Sequence, residues 1–181
     1  MPDRRGLLAS AVAFFARFRV ALGFLFGVLV FWLAAPTGSS IIAGAPVAAA
    51  GEGIRIWAAG HLNKSREVTR SGPYRFVAHP LYLGSSILGV GLAIAARSMQ
   101  VAAIVAAYLV ITLTSAIKSE EAFLRRVFRD AYEEYRQTGI VDRQRRFSFS
   151  RAMANREYRA VAGAVVALLL LVWKATYNGL F

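Results

Sequence analysis

The sequence predicts an all-α integral membrane protein with about five transmembrane helices, which bear a polar loop and a polar helix on one membrane face. Of its 181 residues, 57% are hydrophobic, which exceeds the proportion typical of a soluble domain. Five apolar runs approach the roughly 20 residues that a helix needs to cross a bilayer. Lysine and arginine are concentrated in alternate connections between these runs, as expected for a polytopic membrane protein.

The apolar runs place the predicted spans in chain order at 20–36, 39–60, 81–96, 99–117 and 160–177. The first run has an alternative interpretation as a cleaved signal peptide, because Arg4 and Arg5 precede it. However, Arg17 and Arg19 interrupt the apolar stretch, and no small-residue cleavage site follows before Pro36. The sequence therefore favours an uncleaved first span preceded by a basic amphipathic arm at 1–19.

Charge placement predicts the orientation of the chain. Four of the 22 Lys and Arg residues precede the first span, four lie in the 61–80 loop, and eleven lie in 118–159, whereas the 36–40 turn has none. The positive-inside rule then places the amino terminus, the 61–80 loop and 118–159 in the cytoplasm. The net charge of +12 is explained by this topology and by anionic headgroups. We therefore expect no nucleic-acid partner.

Cysteine and histidine usage excludes several kinds of site. The chain has no cysteine, which excludes disulfides, thiolate catalysis and cysteine-ligated metals. Its two histidines, His61 and His79, are not at metal-ligand spacing on one helix. We expect no metal site.

Two pairs of small residues predict close helix packing. Gly23 and Gly27 lie four residues apart in the first span, and Ser85 and Gly89 repeat this spacing in the third. Such pairs allow helix backbones to approach closely in a membrane. We expect them to be packing faces and not ligand contacts.

The most informative segment is 72–84, GPYRFVAHPLYLG, which lies between strongly apolar runs. Pro73 and Pro80 fix their own φ and restrict the residues before them, so the loop is stiff. Gly72 and Gly84 allow a ligand to approach the backbone. This pattern predicts a binding site, and the alternative is a juxtamembrane turn in which tyrosines act as interfacial anchors.

Charged residues near the spans provide further candidates. Glu52 and Arg55 lie three residues apart in the second span, where they either neutralise each other or mark a functional site. Glu120 and Glu121 follow the fourth span. These acids could cap the start of a helix. If the helix is continuous, they instead need a cationic partner, and a bound ligand is one candidate. Apolar residues continue beyond them at helical spacing: Phe123, Leu124, Phe128, Tyr132 and Tyr135.

In this order, the Gly72-Pro73-Tyr74 and His79-Pro80-Leu81-Tyr82-Leu83-Gly84 segments and the Glu120-Glu121 helix resemble the isoprenylcysteine carboxyl methyltransferase family. The related phospholipid N-methyltransferases share the pattern, and the resemblance covers roughly 50–142. It implies one membrane-embedded enzyme domain that uses S-adenosyl-L-methionine, with the cofactor between the loop and the Glu-Glu helix. The last predicted span, 160–177, lies beyond the resemblance.

The resemblance implies roles for particular residues. Glu121 and Arg55 are the expected catalytic residues, and a carboxylate acceptor would be oriented by an arginine such as Arg55 or Arg70. If the acceptor is an amine, a Glu or His must remove its proton first. The expected cofactor-binding residues are Gly72, Pro73, Tyr74, His79, Pro80, Tyr82, Leu83, Gly84, Glu120 and Glu121.

The expected partners are membrane lipids and a lipid-like or prenylated substrate, with a prenylcysteine-like carboxylate favoured over a phospholipid amine. One departure is Ala78, because the family usually has Arg directly before His-Pro. Two other classes stay open. Membrane sterol reductases share a related loop but tend to have Asn where this chain has Leu81, and a non-enzymatic scaffold would use the loop only to anchor helices.

Overall fold

The computed structural model describes residues 25–64, 66–129, 142 and 144–180. Within these residues the chain forms helices and irregular segments without a strand, which confirms the all-α prediction. The predicted arm at 1–19, the start of the first span, Tyr132 and Tyr135 lie outside the described residues.

In chain order the helices are α1 (25–33), α2 (Gly38–His61), a 3₁₀ turn (Gly72–Arg75), α3 (Pro80–Ala96), α4 (Met99–Val127), α5 (Phe149–Ala154) and α6 (Tyr158–Tyr177). Short turns precede α2, α4 and α6, whereas longer segments precede α3 and α5.

By length and composition, two of the described helices, α4 and α6, are sufficiently long and apolar to cross a membrane. Five such spans were expected. Helix α3 is apolar but has 17 residues. Helix α2 has 24 residues, but its Gly, Ser and Pro content and the Glu52–Arg55 pair lower its hydropathy. The five-span arrangement is therefore not established by the helices alone.

Local sequence signals set the helix boundaries. Thr37 and Ser40 form a reciprocal capping box at the start of α2, which satisfies backbone N–H groups that lack helical partners. His79 is the N-cap residue of α3, and Pro80 occupies its first turn. The side chain of Ser98 accepts a hydrogen bond from the Val101 N–H at the start of α4. The caps at Thr37 and Ser98 fix where α2 and α4 begin after short turns.

Helices α2 and α3 form the most extensive contact between elements, because glycines face each other along both. A Cβ added at Gly51 would lie 2.3 Å from the Leu88 nitrogen and 2.7 Å from the Gly84 carbonyl oxygen. A Cβ at Gly91 would lie 2.2 Å from the Ala48 nitrogen. The two backbones therefore touch, as small residues permit.

The small-residue pairs expected from the sequence have different surroundings. Gly27 has open space where a Cβ would lie, and Gly23 is outside the described residues. A Cβ at Gly89 would lie 2.7 Å from Leu109 Cδ1, so this glycine packs against α4. Ser85 instead accepts a hydrogen bond from Arg55.

Contacts between chain segments define two ends of the helical bundle. At one end, the Gly38 N–H donates to the Leu180 carbonyl at 3.0 Å, and the Ala35 N–H donates to the Ala96 carbonyl at 2.9 Å. At the other end, the Ser148 N–H donates to the Gly60 carbonyl at 3.1 Å. The 61–80 loop and the segment that follows residue 142 thus lie at the same end.

The outer faces of α4 and α6 are apolar. Val101 is the one buried residue of α4, and α6 buries only Leu171 and Ala175. Ile111 and Leu169 are 65% and 61% exposed, respectively. Long helices that expose most of their apolar side chains are unlike the core helices of soluble proteins, which supports insertion in a membrane.

Candidate active site

The loop before α3 takes its shape from Gly72. This residue has φ +58, a left-handed conformation that glycine adopts without strain. A Cβ here would also lie 2.4 Å from the His61 ring. His61 is buried and its Nδ1 lies 3.1 Å from the Ser71 hydroxyl. Gly72 is therefore required by the turn and by its contact with His61.

His79 lies between the two glutamates predicted from the sequence. Its Nδ1 is 3.6 Å from Glu120 Oε2, and its Nε2 is 3.5 Å from Glu121 Oε1. These are ion-pair distances, longer than good hydrogen bonds. Both ring nitrogens are buried and neither has a hydrogen-bond partner among the described residues. The Glu120 carboxylate, followed by that of Glu121, holds the pKa of His79 above its ordinary value, although burial opposes this shift.

Helix α4 explains how the two glutamates reach His79. It continues to Val127, ten residues past the predicted end of the fourth span, so Glu120 and Glu121 lie inside a helix and do not cap its start. The sequence left this choice open. Since the helix dipole offers these acids no N-terminus, their nearest basic group is His79, which is a cation when it is protonated.

A cavity of about 480 Å³ lies between the loop, the start of α3 and the end of α4, within the size range of small-molecule sites. Four of the predicted cofactor-binding residues line it: Tyr74, His79, Tyr82 and Glu120. Glu121 is not among the lining residues and contacts the site through His79. The remaining predicted residues, which do not line the cavity, are Gly72, Pro73, Pro80, Leu83, Gly84 and Arg55.

Gly84 has a structural explanation. A Cβ on it would lie 2.7 Å from both the Gly51 carbonyl oxygen and Arg55 Cγ. The glycine therefore permits the α2–α3 contact, one turn into α3. Its expected contact with a cofactor stays a prediction.

Arg55 lies in a buried cluster of charged residues next to the α2–α3 contact. Its Nε is 2.8 Å from Glu157 Oε1 and 3.5 Å from Glu52 Oε2, and its guanidinium also donates to Ser85 Oγ. The predicted pairing with Glu52 is present, whereas Glu157 was not anticipated. Two carboxylates already balance this guanidinium, which removes the reason to expect a substrate carboxylate beside it.

Several cavity residues were missed from the sequence. Lys64 and Glu67 line the cavity from the loop, and Phe123 and Leu124 line it from α4. The two apolar residues had been recognised as one helix face but not as part of the site. Glu67 is the one acidic residue in the sequence of the 61–80 loop, and that isolation among basic residues was a usable signal.

Comparison with known proteins identifies the family. The sequence pattern of the phospholipid methyltransferase family matches residues 18–131, which is more than half of the chain. The chain belongs to the phospholipid methyltransferase family. The matched region contains the loop, His79 and both glutamates, and it ends before the segment that follows residue 142. The expected resemblance to methyltransferases is thereby confirmed at the level of this family, while the isoprenylcysteine carboxyl methyltransferase family is not specifically supported.

The chain is also similar to a curated protein, the nickel-cobalt-cadmium resistance protein NccN from Alcaligenes xylosoxydans xylosoxydans. It is 34% identical to this chain over 83 residues, which make up 45% of this chain and 38% of the relative. The match therefore spans well under half the length of that protein. No solved structure matches the chain.

Proposed function

We propose that this protein is an integral membrane methyltransferase that transfers a methyl group from S-adenosyl-L-methionine to the headgroup of a membrane amphiphile. The observation that carries this proposal is the cavity in which His79 and Glu120 meet Tyr74 and Tyr82, inside the region matched by the family. The family match also argues against the sterol-reductase and scaffold alternatives.

The residues of the cavity fit the proposed cofactor. Its wall carries both signs of charge, with Lys64 beside Glu67 and Glu120, and S-adenosyl-L-methionine bears a carboxylate, an ammonium and a sulfonium. When bound, it supplies an electrophilic methyl group that a nucleophile displaces from sulfur. In this arrangement Glu120 holds the ammonium, Lys64 holds the carboxylate, and Tyr74 and Tyr82 supply aromatic surface and hydroxyl groups.

Positioning is the main catalytic task of such a site, because in-line displacement needs the reacting atoms about 3–3.5 Å apart and aligned. An ammonium acceptor must also lose a proton before it can attack. We assign this proton to His79 in its neutral form, whose ring nitrogens lack hydrogen-bond partners among the described residues. Glu121 then stabilises the imidazolium through its contact at 3.5 Å.

The surroundings of Arg55 bear on the identity of the acceptor. A carboxylate acceptor was favoured from the sequence because Arg55 needed an anionic partner, but Glu52 and Glu157 fill that role. Together with the family match, this favours an amine of a phospholipid headgroup over a prenylcysteine carboxylate. The acceptor would reach the site from the bilayer.

We also propose the multi-pass topology indicated by the charges, with the active site on the cytoplasmic face. The 61–80 loop and the chain after residue 142 carry much of the basic charge, and they lie at the same end of the bundle. This arrangement is consistent with the positive-inside rule.

The test combines binding with methyl transfer by the purified protein in lipid nanodiscs. Calorimetry should show saturable binding of S-adenosyl-L-methionine, and Glu120→Gln should weaken it about tenfold or more, because a charge-assisted contact is lost. Lys118→Gln is the matched control, since Lys118 is exposed on the same helix and does not line the cavity. A folded wild-type protein without binding would exclude the proposal.

The second measurement follows transfer of labelled methyl groups to phosphatidylethanolamine and to a farnesylcysteine analogue, assayed in parallel. We expect label in the amine lipid. Label in the farnesylcysteine analogue alone would reverse the assignment of the acceptor while retaining the methyltransferase. His79→Gln should lower the rate of transfer to the amine at least about a hundredfold, as expected for loss of a general base.

A further inference from the structure

A second acidic side chain, that of Glu67, faces the cavity. It is bound by a residue from a segment that lies beyond the matched family region. Glu67 lines the cavity, and Arg145 Nη1 donates a hydrogen bond to its carboxylate. Arg145 follows the end of the family match at residue 131. The site thus includes a contribution from outside the region that carries the family pattern.

The segment containing Arg145 is fastened to the end of α2 and to the loop. We call the described residues 142 and 144–155 the C-terminal strap. Its Asp142 N–H donates to the Arg70 carbonyl at 3.1 Å. Its Asn155 side chain donates to the Ala59 and Leu62 carbonyls, both at 2.9 Å. The two Asn155 bonds satisfy carbonyl groups at the end of α2 that have no helical donor. Together with the bond to the loop, they give the strap a defined position.

Several contacts orient Arg145 within the strap. Asp142 Oδ1 accepts the Arg145 N–H at 3.2 Å, and Asp142 Oδ2 lies 3.7 Å from Arg145 Nε. Arg145 Nη1 also lies 3.5 Å from the His61 carbonyl oxygen. The guanidinium is therefore held from both sides while it faces Glu67, and the rotamer of the Glu67 side chain is fixed in turn.

The two acids of the cavity differ in electrostatic character. Arg145, through its hydrogen bond, lowers the pKa of Glu67 below its ordinary value, and Arg145 offsets the carboxylate's charge locally. A carboxylate has about four acceptor positions, so Glu67 retains acceptor capacity after pairing with Arg145. Such a group is better suited to neutral hydroxyl donors than to a second cation. Glu120, which faces His79, remains the group suited to an ammonium.

We propose that Glu67 accepts hydrogen bonds from the ribose hydroxyls of the cofactor, and that Arg145 is the positioning residue that orients its carboxylate. Acidic side chains recognise ribose hydroxyls in other nucleotide-binding sites. This inference rests on the proposed function, since it names the part of the same cofactor that Glu67 contacts. It makes the strap a part of the cofactor site.

The experiment compares the binding affinity of a cofactor analogue that has both ribose hydroxyls with that of analogues in which hydrogen replaces one of them. Calorimetry on the full chain in nanodiscs compares S-adenosylhomocysteine with its 2′-deoxy and 3′-deoxy analogues. The wild type should bind the parent compound about tenfold more tightly than at least one analogue, as for a hydrogen bond to a charged group. In Glu67→Ala this ratio should fall close to one.

Two Arg145 variants separate positioning from folding. Arg145→Ala should lose most of the discrimination, whereas Arg145→Lys should restore part of it, because Lys keeps the charge but not the planar fork. Arg146→Ala is the control, since its side chain is exposed and lies next to Arg145 in the chain. Glu67→Met provides a second variant at the acid if Glu67→Ala does not fold, because Met keeps the length of the side chain without an oxygen acceptor.

The outcomes distinguish this inference from the proposed function. A wild type that binds the parent compound without discriminating against either analogue overturns the inference alone. Discrimination that survives in a folded Glu67→Ala or Glu67→Met variant also overturns it. A folded wild type that does not bind S-adenosylhomocysteine overturns the proposed function and this inference with it.

Discussion

His79 has a chemical environment different from that of the other described histidine. Its ring lies between Glu120 and Glu121, and its side chain is 15% exposed. The adjacent acids stabilise the imidazolium, while burial disfavours it. Since the acids prevail, protonation of His79 is linked to the stability of the folded state.

Stability should therefore depend on pH through His79. Its folded pKa exceeds the reference value of 6.5, so its contribution is fully present below pH 6.5 and is lost as the pH rises through the folded pKa. Each 1 kcal/mol of such a contribution corresponds to about 2–4 °C in Tm for a chain of this size. Thermal melts of the wild type and His79→Gln in detergent from pH 6 to 9 should show a Tm difference that shrinks with rising pH. A constant difference would contradict this linkage.

Single residues also show what the sequence could and could not predict about the site. His79, Tyr74, Tyr82 and Glu120 were anticipated because their motifs are local in the chain. Glu157 was not, because it reaches Arg55 from a distant segment, and no local spacing encodes that approach. Long-range ion pairs depend on helix packing, which a single sequence does not specify.

Among the elements, α2 and α3 are joined by an antiparallel register of glycines. Gly44 faces Gly91, and Gly51 faces Gly84, so the two glycines on each helix are seven positions apart. Small residues four positions apart were predicted to be packing faces, whereas this seven-residue spacing of glycines was not predicted. The spacing of these glycines is visible in the sequence. Its role as a packing contact could be recognised only once α2 was known to pack against α3.

A glycine substitution in α2 tests this packing. Gly51→Ala should destabilise the protein by about 1–3 kcal/mol, because the added Cβ meets backbone atoms that cannot move independently. Gly53→Ala is the matched control, since a Cβ there has no neighbour within 4 Å, and it should be neutral or stabilising by up to about 1 kcal/mol. Chemical unfolding in detergent measures both. Equal effects would exclude the backbone contact.

For the molecule as a whole, hydrogen bonds between the segments that join the helices gather these segments at two ends of the bundle. The residues around Gly38, Ala96 and Leu180 meet at one end, and the loop and the C-terminal strap meet at the other. The sequence predicted this grouping from its alternating basic connections, and the helices follow it. The spans predicted at 39–60 and 81–96 are not established by the helices there, because α3 has 17 residues and the small residues that allow close packing lower the hydropathy of α2.

Cysteine labelling tests the orientation directly, since the natural sequence has no cysteine. We expect a cysteine at Asn178 to be labelled by an impermeant reagent from the outer side, and a cysteine at Arg66 only from the cytoplasmic side. Sealed vesicles of both orientations provide the measurement, with a cysteine at Ser98 as a second outer position. Labelling of Asn178 and Arg66 from the same side would refute the five-span topology.

The glycine contact between α2 and α3 limits the routes by which the proposed lipid acceptor would reach the site. Backbones that touch leave no lateral opening, so these two helices act as a closed wall that moves as one body. Helix α4 lines the same cavity but meets α3 through side chains such as Leu109, which can change rotamer. An acyl chain would therefore pass between α3 and α4, and the motion that admits the substrate would belong to α4.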